Sequence, residues 1–361
     1  MIIRSVRLLD FRNSALSEAD LDARSVWVGG MNAQGKTNLL EAAGLLQAAR
    51  SFRTSKSSAM IRHGAQAAQV LFKIGHEEFG ECEVLMEFSK AGRRITACGA
   101  EVRRLGDFIG RFPVLAVCSE DMKLARGAPQ ERRRFADMLI SSLDAEYFEA
   151  LRRFHSALAQ RNALLKSGAS DSASFSAFEA QMAESAAVVS EKRREYLEEA
   201  AAVATEKYRA LSGGRDKAAI RLKPDSPASS AQEYAALLEA QRPRDALLGA
   251  TSTGPHRDDF MIFISGKNVR EFASEGQQRS AALSLKLAEF DMLKSRGRTL
   301  PVMLCDDILG ELDSARRAAF WECVDPGAQV VASSTSPAPS GLPSRPEWKS
   351  VRVENGEYFA R

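Results

Sequence analysis

Cysteine is scarce in this sequence, and its spacing excludes the common cysteine-based sites. The 361 residues include five cysteines, at Cys82, Cys98, Cys118, Cys305 and Cys323. None forms a C-x-x-C pair, and no combination of Cys and His has the spacing of a zinc site. An odd number of cysteines in a long chain favours reduced thiols in a cytoplasm over a disulfide framework.

Long apolar runs are also missing. No stretch approaches the roughly 18 consecutive apolar residues that a membrane span needs. The N-terminal segment MIIRSVRLLDFRN contains Arg4, Arg7 and Asp10 and has no long apolar region, so it is not a secretory signal. We therefore expect a soluble, cytoplasmic protein without a membrane partner.

The sequence has no strong excess of one charge. It has 50 Lys and Arg against 47 Asp and Glu, a formal net charge of +3, which is too small to indicate nucleic-acid binding by itself. Apolar residues make up 45% and charged residues 27%, as in ordinary globular proteins. The length predicts two or three domains, or one large domain with an inserted lobe.

Strand and helix patterns alternate near both ends of the chain and give way to helix in the middle. Strands are predicted at IIRSVRLLDF, SVWVGG and FPVLAVCSED. From Pro129 to Leu211 the pattern is helical, with few β-branched residues. Strand character returns at 260–268, followed by a helix at 276–297 and an apolar strand at 300–307. This order predicts an α/β head interrupted by a mostly helical lobe.

Residues 30–37 have the G-x-x-x-x-G-K-T pattern of a phosphate-binding loop, between a predicted strand and a predicted helix. Glycines let backbone N–H groups converge on phosphate oxygens, and the helix N-terminus adds positive charge. Lys36 can reach the β- and γ-phosphates, and the Thr37 hydroxyl can hold Mg²⁺. The alternative, a chance glycine turn, is disfavoured by the complete pattern in this context.

Two aspartates end the apolar strand VMLCDD. We expect this strand to lie beside the P-loop strand, with Asp306 on the metal and Asp307 orienting or deprotonating a water. The alternative is a solvated strand end. Lys36 and Asp306 are 270 positions apart, which indicates a split head rather than a small GTPase or nucleotide kinase.

A third element, ASEGQQRSAALSLKLAE (273–289), places Ser274, Gly276 and Gln277 at the start of a strong helix. A hydroxyl, a glycine N–H and a helix N-terminus together can bind an anion. An ordinary capping box formed by Ser274 and Gln277 is the alternative, and it would be preferred if this segment stood alone.

Together these elements resemble the ABC-type ATPase heads of SMC and Rad50 proteins, and they are most similar to the RecF family of bacterial recombination-mediator ATPases. The segments that carry the resemblance, in family order, are MNAQGKTNLLEA (31–42), RSFRT (50–54), GAPQERRRFAD (127–137), LAQRNALLK (158–166), TGPHRDDF (253–260), EGQQRSAALSLKLAE (275–289) and LCDDILGELD (304–313). The segment between the head halves is too short for a long coiled coil, which favours RecF. The resemblance implies an α/β, ABC-type (SMC/Rad50-like) P-loop head, 1–122 and 251–361, with an inserted, mostly helical lobe, 123–250.

The chain departs from the family pattern at several positions. Val117 and Ser119 replace Phe and Pro, Gly310 stands where Ser is common, and Glu275 stands where other ABC heads have Gly. No histidine follows the strand AQVVASST, where many ABC transporters have a switch histidine. The resemblance therefore implies slow hydrolysis, suited to a switch.

The resemblance also assigns the residues that bind ATP and Mg²⁺. They are Gly30, Asn32, Gly35, Lys36, Thr37, Asn38 and Asp306, with Thr37 and Asp306 on the metal. Lys36 and Asp307 are assigned to catalysis, with Asp307 positioning the water. Arg12 is assigned to the phosphates or the base, with a structural surface arginine as the alternative.

An ATP-bound homodimer is implied as well. In ABC heads, each composite site uses the P-loop of one subunit and the signature of the other. Ser274, Gly276 and Gln277 would therefore cap the γ-phosphate bound by the second subunit.

The implied function is ATP-dependent binding of double-stranded or gapped DNA, including single/double-strand junctions, in recombinational repair, replication and the SOS response. A weak, DNA-stimulated ATPase would assist recombinase loading, with the RecR and RecO proteins as partners. The basic positions that could contact DNA are Arg50, Arg53, Lys56, Arg62, 103–104, 132–134 and 192–194, and for each the alternative is a solvated face or an ion pair. One alternative function is an ATP-sensing head that binds a protein without a direct DNA role. A small-molecule kinase is disfavoured by the signature helix.

Overall fold

The computed structural model describes residues 1–54, 56–168, 172–339, 345 and 347–360. These residues form two compact units. The first, called the head, comprises Met1–Asp121, Lys207–Arg215 and Leu283–Arg361. The second, called the lobe, comprises Met122–Glu206 and Asp216–Ala282. The sequence places the return to the head at 251, whereas the structural lobe extends to Ala282.

The head contains an antiparallel and a mostly parallel sheet. The antiparallel sheet has the order β2-β1-β4-β5-β6-β7. Its strands are β1 Ile2–Phe11, β2 Ser14–Asp20, β4 Ala67–His76, β5 Gly80–Ser89, β6 Gly92–Ala97 and β7 Ala100–Glu101. The parallel sheet has the order β15-β14-β3-β13-β12-β8, in which β15 alone is antiparallel. Its strands are β3 Ser25–Gly29, β8 Val114–Cys118, β12 Val302–Asp306, β13 Val330–Ser334, β14 Lys349–Glu354 and β15 Glu357–Ala360.

The remaining elements are mostly helical. The helices are α1 Lys36–Ala48, α2 Met122–Arg126, α3 Pro129–Leu143, α4 Ala145–Ser167, α5 Ser172–Leu211, α6 Ala231–Leu248, α7 Val269–Phe272, α8 Glu275–Arg296 and α9 Ser314–Cys323. The lobe also contains a three-stranded sheet, β11-β10-β9. Its strands are β9 Ala218–Lys223, β10 Asp259–Ile264 and β11 Lys267–Asn268. The sequence patterns did not predict β9. Among the described residues, no helix is long and apolar enough to cross a membrane.

Helix α1 lies in the largest apolar core of the head. Its Leu39, Leu40, Leu45 and Leu46 are fully buried, and the helix contacts strands of both sheets. The core also takes the buried alternate residues of the antiparallel strands, such as Val70. This packing fixes α1, and with it the loop that precedes it, against the ends of the parallel strands.

The strand order corrects one expectation. The strand that ends at Asp306 does not lie beside the P-loop strand β3, because β13 lies between β12 and β3. Parallel strands are joined by crossovers, so chain order and apolar pattern leave room for an intervening strand. The carboxyl ends of β3, β13 and β12 still meet at one edge of the sheet.

Two of the cysteines form a disulfide, which corrects a second expectation. Cys82 in β5 and Cys98 just after β6 lie on neighbouring strands with their Cα atoms 4.9 Å apart. The prediction of reduced thiols is therefore wrong for this pair, because strand pairing brings the two residues together. Cys118 and Cys305 are free and buried, and burial raises the pKa of each thiol to about 12.

Buried arginine–carboxylate pairs join the helices of the lobe, which also buries apolar side chains such as Leu139 and Tyr147. Arg161 on α4 donates to Glu179 on α5 (3.0 Å) and to Asp245 on α6 (2.7 Å). Arg193 on α5 donates to Asp137 on α3 (2.7 Å) and to Asp258 (3.0 Å). These arginines therefore join helices that are distant in the sequence.

Candidate nucleotide-binding site

The loop between β3 and α1 has the shape that its glycines predict. Gly35 precedes α1 with φ 118°, a conformation that residues with a Cβ rarely adopt. A Cβ on Gly30 would lie 2.7 Å from the Val353 carbonyl oxygen in β14. Both glycines are therefore required by the local geometry, one by its backbone angle and the other by close packing.

Lys36 lies across this loop. Its Nζ donates to the carbonyl oxygens of Gly30 (2.7 Å) and Met31 (2.9 Å). An ammonium group has three hydrogens, so this arrangement leaves one for a phosphate oxygen. Met31 and Asn32 are exposed at the tip of the loop.

Thr37 and Asp306 come together although they lie 269 positions apart in the sequence. The Thr37 hydroxyl donates to Asp306 Oδ1 at 3.0 Å, and the Ser333 hydroxyl donates to the same oxygen at 2.7 Å. Burial raises the pKa of Asp306, and the two hydroxyls partly oppose that effect. Hydroxyl and carboxylate oxygens are hard ligands, so this donor set fits Mg²⁺.

Asp307 has an uncommon backbone conformation. Its φ is 53°, in the left-handed region, and its N–H donates to the Ser333 carbonyl and hydroxyl oxygens, both at 3.2 Å. Such conformations are concentrated at functional sites. The residue is exposed, so its carboxylate is accessible to water beside Asp306.

A buried carboxylate that sequence reasoning missed organises the start of α1. Glu41 is fully buried and accepts from Arg12 Nε (2.8 Å) and Nη2 (2.5 Å) and from Arg53 Nη1 (3.2 Å). The Ser51 hydroxyl also donates to it. The available signal was a single charged residue inside the apolar run LLEAAGLL. Arg12, assigned to nucleotide, is therefore held chiefly by Glu41.

Asn38 links the same network to the first hairpin. Its side chain donates to Asn13 Oδ1 (2.7 Å) and accepts from Arg53 (3.0 Å). Asn38 thus connects Asn13, in the turn between β1 and β2, to Arg53, which follows α1.

A second buried ionic cluster lies within the head. Lys286 on α8 donates to Glu289 at 2.5 Å, and Gln47 on α1 donates to Glu289 at 3.2 Å. Burial raises the pKa of both Glu289 and Asp121, and Lys286 opposes that rise for each of them. The cluster ties α8 to the P-loop helix, and sequence reasoning did not identify it.

The signature residues form the capping box that was the alternative interpretation. Ser274 Oγ accepts from the Gln277 N–H (3.3 Å), and Gln277 Oε1 accepts from the Ser274 N–H (3.0 Å). Gln277 Nε2 also donates to Asp216 (3.0 Å). Gly276 lies in the same first turn. The three residues belong to the lobe, whereas the P-loop and Asp306 belong to the head.

Many of the basic residues proposed for DNA have carboxylate partners. Arg53 pairs with Glu41, and Arg62 pairs with Asp10. In the lobe, the paired basic residues are Arg132 with Asp259, Lys192 with Asp144 and Glu146, and Arg193 with Asp137 and Asp258. Arg50, Lys56 and Arg103 are exposed.

Comparisons with known proteins agree with this geometry. No family model matches the chain. The chain is 32% identical to the DNA replication and repair protein RecF of Bacillus cereus (strain B4264), over 99% of this chain and 98% of that protein. RecF of Bacillus thuringiensis (strain Al Hakam) matches with the same identity and coverage.

Solved structures are similar as well. The structure of the recombination mediator protein RecF with ATP in the RecFOR pathway superposes with a TM-score of 0.91 and 27% identity, over 100% of this chain and 97% of that one. The Smc head domain of Pyrococcus furiosus has a TM-score of 0.57 and 16% identity, over 100% of this chain and 96% of that one. The latter likeness concerns the fold alone, and it confirms the predicted SMC-like fold.

Proposed function

Because this chain belongs to the RecF family, we propose that it is an ATP-dependent DNA-binding protein of recombinational repair and replication, acting in the cytoplasm. The observation that carries the proposal is the 3.0 Å hydrogen bond from Thr37 to Asp306. It assembles a P-loop hydroxyl and a strand-end carboxylate in the arrangement that phosphate-bound Mg²⁺ requires.

ATP would bind along the P-loop. The backbone N–H groups of 30–37 would donate to the phosphates, Lys36 would supply a positive charge, and Asn38 would support the loop. Thr37 and Asp306 would hold Mg²⁺, which supplies charge neutralisation for the phosphates.

Hydrolysis needs a group that orients the attacking water. Asp307 fills that role, since its carboxylate is exposed next to Asp306 and its backbone is fixed by Ser333. Ser333 is the penultimate residue of the neighbouring strand β13, and a serine cannot act as a base at neutral pH as a histidine can. With a serine in place of a histidine here, we expect slow ATP hydrolysis.

Two subunits would complete each site. Ser274, Gly276 and Gln277 of one subunit would cap the γ-phosphate held by the P-loop of the other. The helix N-terminus favours an anion there. In this arrangement the Ser274 hydroxyl would donate to a phosphate oxygen while its oxygen still accepts from the Gln277 N–H, so bound ATP would hold the two subunits together. We therefore keep the functional division into head halves 1–122 and 251–361 and an inserted lobe 123–250. This division groups the signature with the P-loop.

DNA would bind the ATP dimer through backbone phosphates, without sequence preference and with strong salt dependence. The exposed residues Arg50, Lys56 and Arg103 are the candidates in the head. Double-stranded or gapped DNA is the proposed substrate, and DNA would stimulate the weak ATPase. RecR and RecO are the proposed partners, because the similar structure is described within the RecFOR pathway.

The test measures dimerisation by light scattering and ATPase activity, each with and without gapped duplex DNA. Wild type is compared with Lys36→Met, which cannot hold phosphate, and Ser274→Arg, which blocks the signature. We expect ATP to dimerise only the wild type and DNA to accelerate its hydrolysis. A dimer that forms equally well without nucleotide, or in both variants, contradicts the composite site.

A second candidate function is an ATP-sensing head that binds a protein partner without a direct DNA role. The carboxylate pairing of Arg53, Arg62, Arg132 and Arg193 favours it, because those arginines are already neutralised. ATP-dependent dimers that show no salt-sensitive affinity for gapped DNA would select this function over the first.

A further inference from the structure

The C-terminal hairpin β14–β15 lies against the phosphate loop. Strand β14 pairs in parallel with the P-loop strand β3, with Val351 opposite Val28 and Arg352 opposite Gly29. The two-residue turn of the hairpin, Asn355–Gly356, consequently falls beside the loop that follows β3.

Three groups of the hairpin hydrogen-bond to the loop at Gln34 and Gly35. The Gly356 N–H donates to the Gln34 carbonyl oxygen at 2.8 Å. The Asn355 N–H donates to Gln34 Oε1 at 2.7 Å. The Tyr358 hydroxyl donates to the Gly35 carbonyl oxygen at 3.4 Å. The hairpin therefore holds both the backbone and the side chain of Gln34.

Because a peptide unit is rigid, the bond to the Gln34 carbonyl oxygen also fixes the direction of the Gly35 N–H. The Gln34 carbonyl and the Gly35 N–H belong to one planar, trans peptide unit, so they point in opposite directions. Holding the Gln34 oxygen toward the hairpin therefore directs the Gly35 N–H away from it. The N–H groups of a P-loop bind phosphate only when they converge on it.

The turn itself is built for close approach. Asn355 and Gly356 have φ values of 49° and 82°, as in the two-residue hairpin turns that favour Asn-Gly. A Cβ on Gly356 would lie 3.0 Å from the Asn13 carbonyl oxygen. Asn13 lies in the turn between β1 and β2, so a side chain at 356 would push the Asn355–Gly356 turn away from it and move the Gly356 N–H that holds the Gln34 carbonyl oxygen.

We infer that the Asn355–Gly356 turn and Gln34 are positioning residues for nucleotide, because they set the direction of the Gly35 N–H before phosphate arrives. The inference rests on the proposed ATP site. It makes ATP affinity depend on a hairpin that lies more than 300 residues downstream of the loop.

The experiment compares Gly356→Ala with Gly266→Ala. Gly266 follows Ser265 in the two-residue turn between β10 and β11, with φ values of 48° and 79° that match those of the C-terminal turn. A Cβ at Gly266 meets no atom within 4 Å. Both variants carry the same backbone strain, but only Gly356→Ala disturbs the loop.

MgATP affinity is measured by calorimetry, and KM and kcat are measured by ATPase assay. We expect Gly356→Ala to raise the Kd and KM for ATP about threefold to tenfold, the worth of one or two hydrogen bonds. At saturating ATP its kcat should stay within about twofold of wild type. Gly266→Ala should keep the wild-type Kd. Equal Kd values for both variants and wild type, or equal weakening in both, overturn the inference.

Gln34→Met decides the case if Gly356→Ala does not fold. It removes the acceptor for the Asn355 N–H and leaves the hairpin sequence intact, so we expect a Kd about threefold higher. A wild-type Kd for Gln34→Met would then sink the inference. If wild type itself binds no MgATP, the proposed function fails first, and the inference falls with it.

Discussion

The head and the lobe both bury ionic groups, but they arrange them differently. In the head, Glu41 gathers Arg12 and Arg53 at the start of the P-loop helix. In the lobe, Arg161 and Arg193 lie between helices and hold them together. Both units also bury apolar side chains, such as Leu39 and Val70 in the head and Leu139 and Ile262 in the lobe.

This difference bears on how basic residues are interpreted. A buried charge is stable only when it is paired. In the lobe, this requirement favours the arrangement in which the paired helices lie next to one another. Basic runs such as 132–134 and 192–194 therefore join elements of the lobe through Arg132, Lys192 and Arg193. In the head, the same kind of pairing holds Arg12 and Arg53 against helix α1.

The largest expected effect comes from breaking the ionic centre of the lobe. Arg161→Met leaves Glu179 and Asp245 buried without their shared cation, which should lower the free energy of unfolding by about 3–5 kcal/mol. Helical circular dichroism in urea follows mainly the lobe, which contains most of the helical residues. Tryptophan emission follows the head, because Trp27, Trp321 and Trp348 all lie there.

Arg152→Met on the same helix is the matched control. Arg152 is exposed and pairs with Glu149 at 2.9 Å. Exposed pairs contribute at most about 1 kcal/mol. If both variants lose the same stability, the buried ion pairs do not set the cohesion of the lobe.

Acid should weaken the lobe through His256. Burial lowers its pKa to about 4 from an ordinary value of 6.5. Between these values the unfolded chain binds the proton first, so the stabilisation is complete above pH 6.5 and is lost as the pH falls toward 4. The loss amounts to roughly 3 kcal/mol. The free energy of unfolding of the His256→Phe protein, measured between pH 4 and 6.5, should therefore depend less on pH than that of wild type.

His63→Phe serves as the control, because His63 is exposed in the head. The free energy of unfolding of the His63→Phe protein should change with pH as that of wild type does. A His256→Phe protein with an unchanged slope between pH 4 and 6.5 would remove His256 from the acid response.

A smaller effect is expected at the nucleotide site. Ser333→Ala removes the hydroxyl that donates to Asp306 at 2.7 Å and accepts from the Asp307 N–H at 3.2 Å. ATPase activity should fall roughly tenfold, since a hydrogen bond to a charged group contributes about 1.5–3 kcal/mol.

Ser334→Ala tests whether any loss of a strand-end hydroxyl has this effect. Ser334 Oγ accepts from the Ser336 N–H and has no described bond to Asp306 or Asp307. It should retain near-wild-type activity, and equal losses in both variants would contradict the role of Ser333.

The smallest expected effect is on DNA affinity, and it distinguishes Lys56 from the nearby Arg53. Lys56→Glu should weaken gapped-duplex binding about threefold and lower the salt slope by about one. Arg53→Glu should instead impair ATP binding, because Arg53 holds Glu41 and Asn38. Lys90→Glu, an exposed reversal at the β5–β6 turn, is the control for charge alone. Equal DNA affinity in Lys56→Glu and Lys90→Glu would exclude Lys56 from the interface.

Much of the fold and part of the site follow from local sequence features. The P-loop pattern fixes a strand, a turn and a helix within some twenty residues, because glycine angles and apolar spacing act over short range. The helical run from Pro129 to Leu211 was predictable from composition for the same reason. The need of a P-loop for a second metal ligand also predicted that Thr37 and Asp306 come together, and the structure places them in hydrogen-bond contact.

Other features required the tertiary structure. The placement of β13 between β3 and β12, the disulfide between Cys82 and Cys98, and the capture of Arg12 by Glu41 all join residues through packing. Sequence patterns report which face of an element is apolar, but they do not report which element covers that face.

The sequence by itself determined that this chain carries a phosphate loop, a strand-end acidic pair and a signature helix, because each is written in a short run of residues. Only the tertiary structure decided that the Asn355–Gly356 turn holds Gln34 and that Ser333 holds Asp306. Those contacts depend on strand order and on distances of a few ångströms, which the packing of the whole head sets.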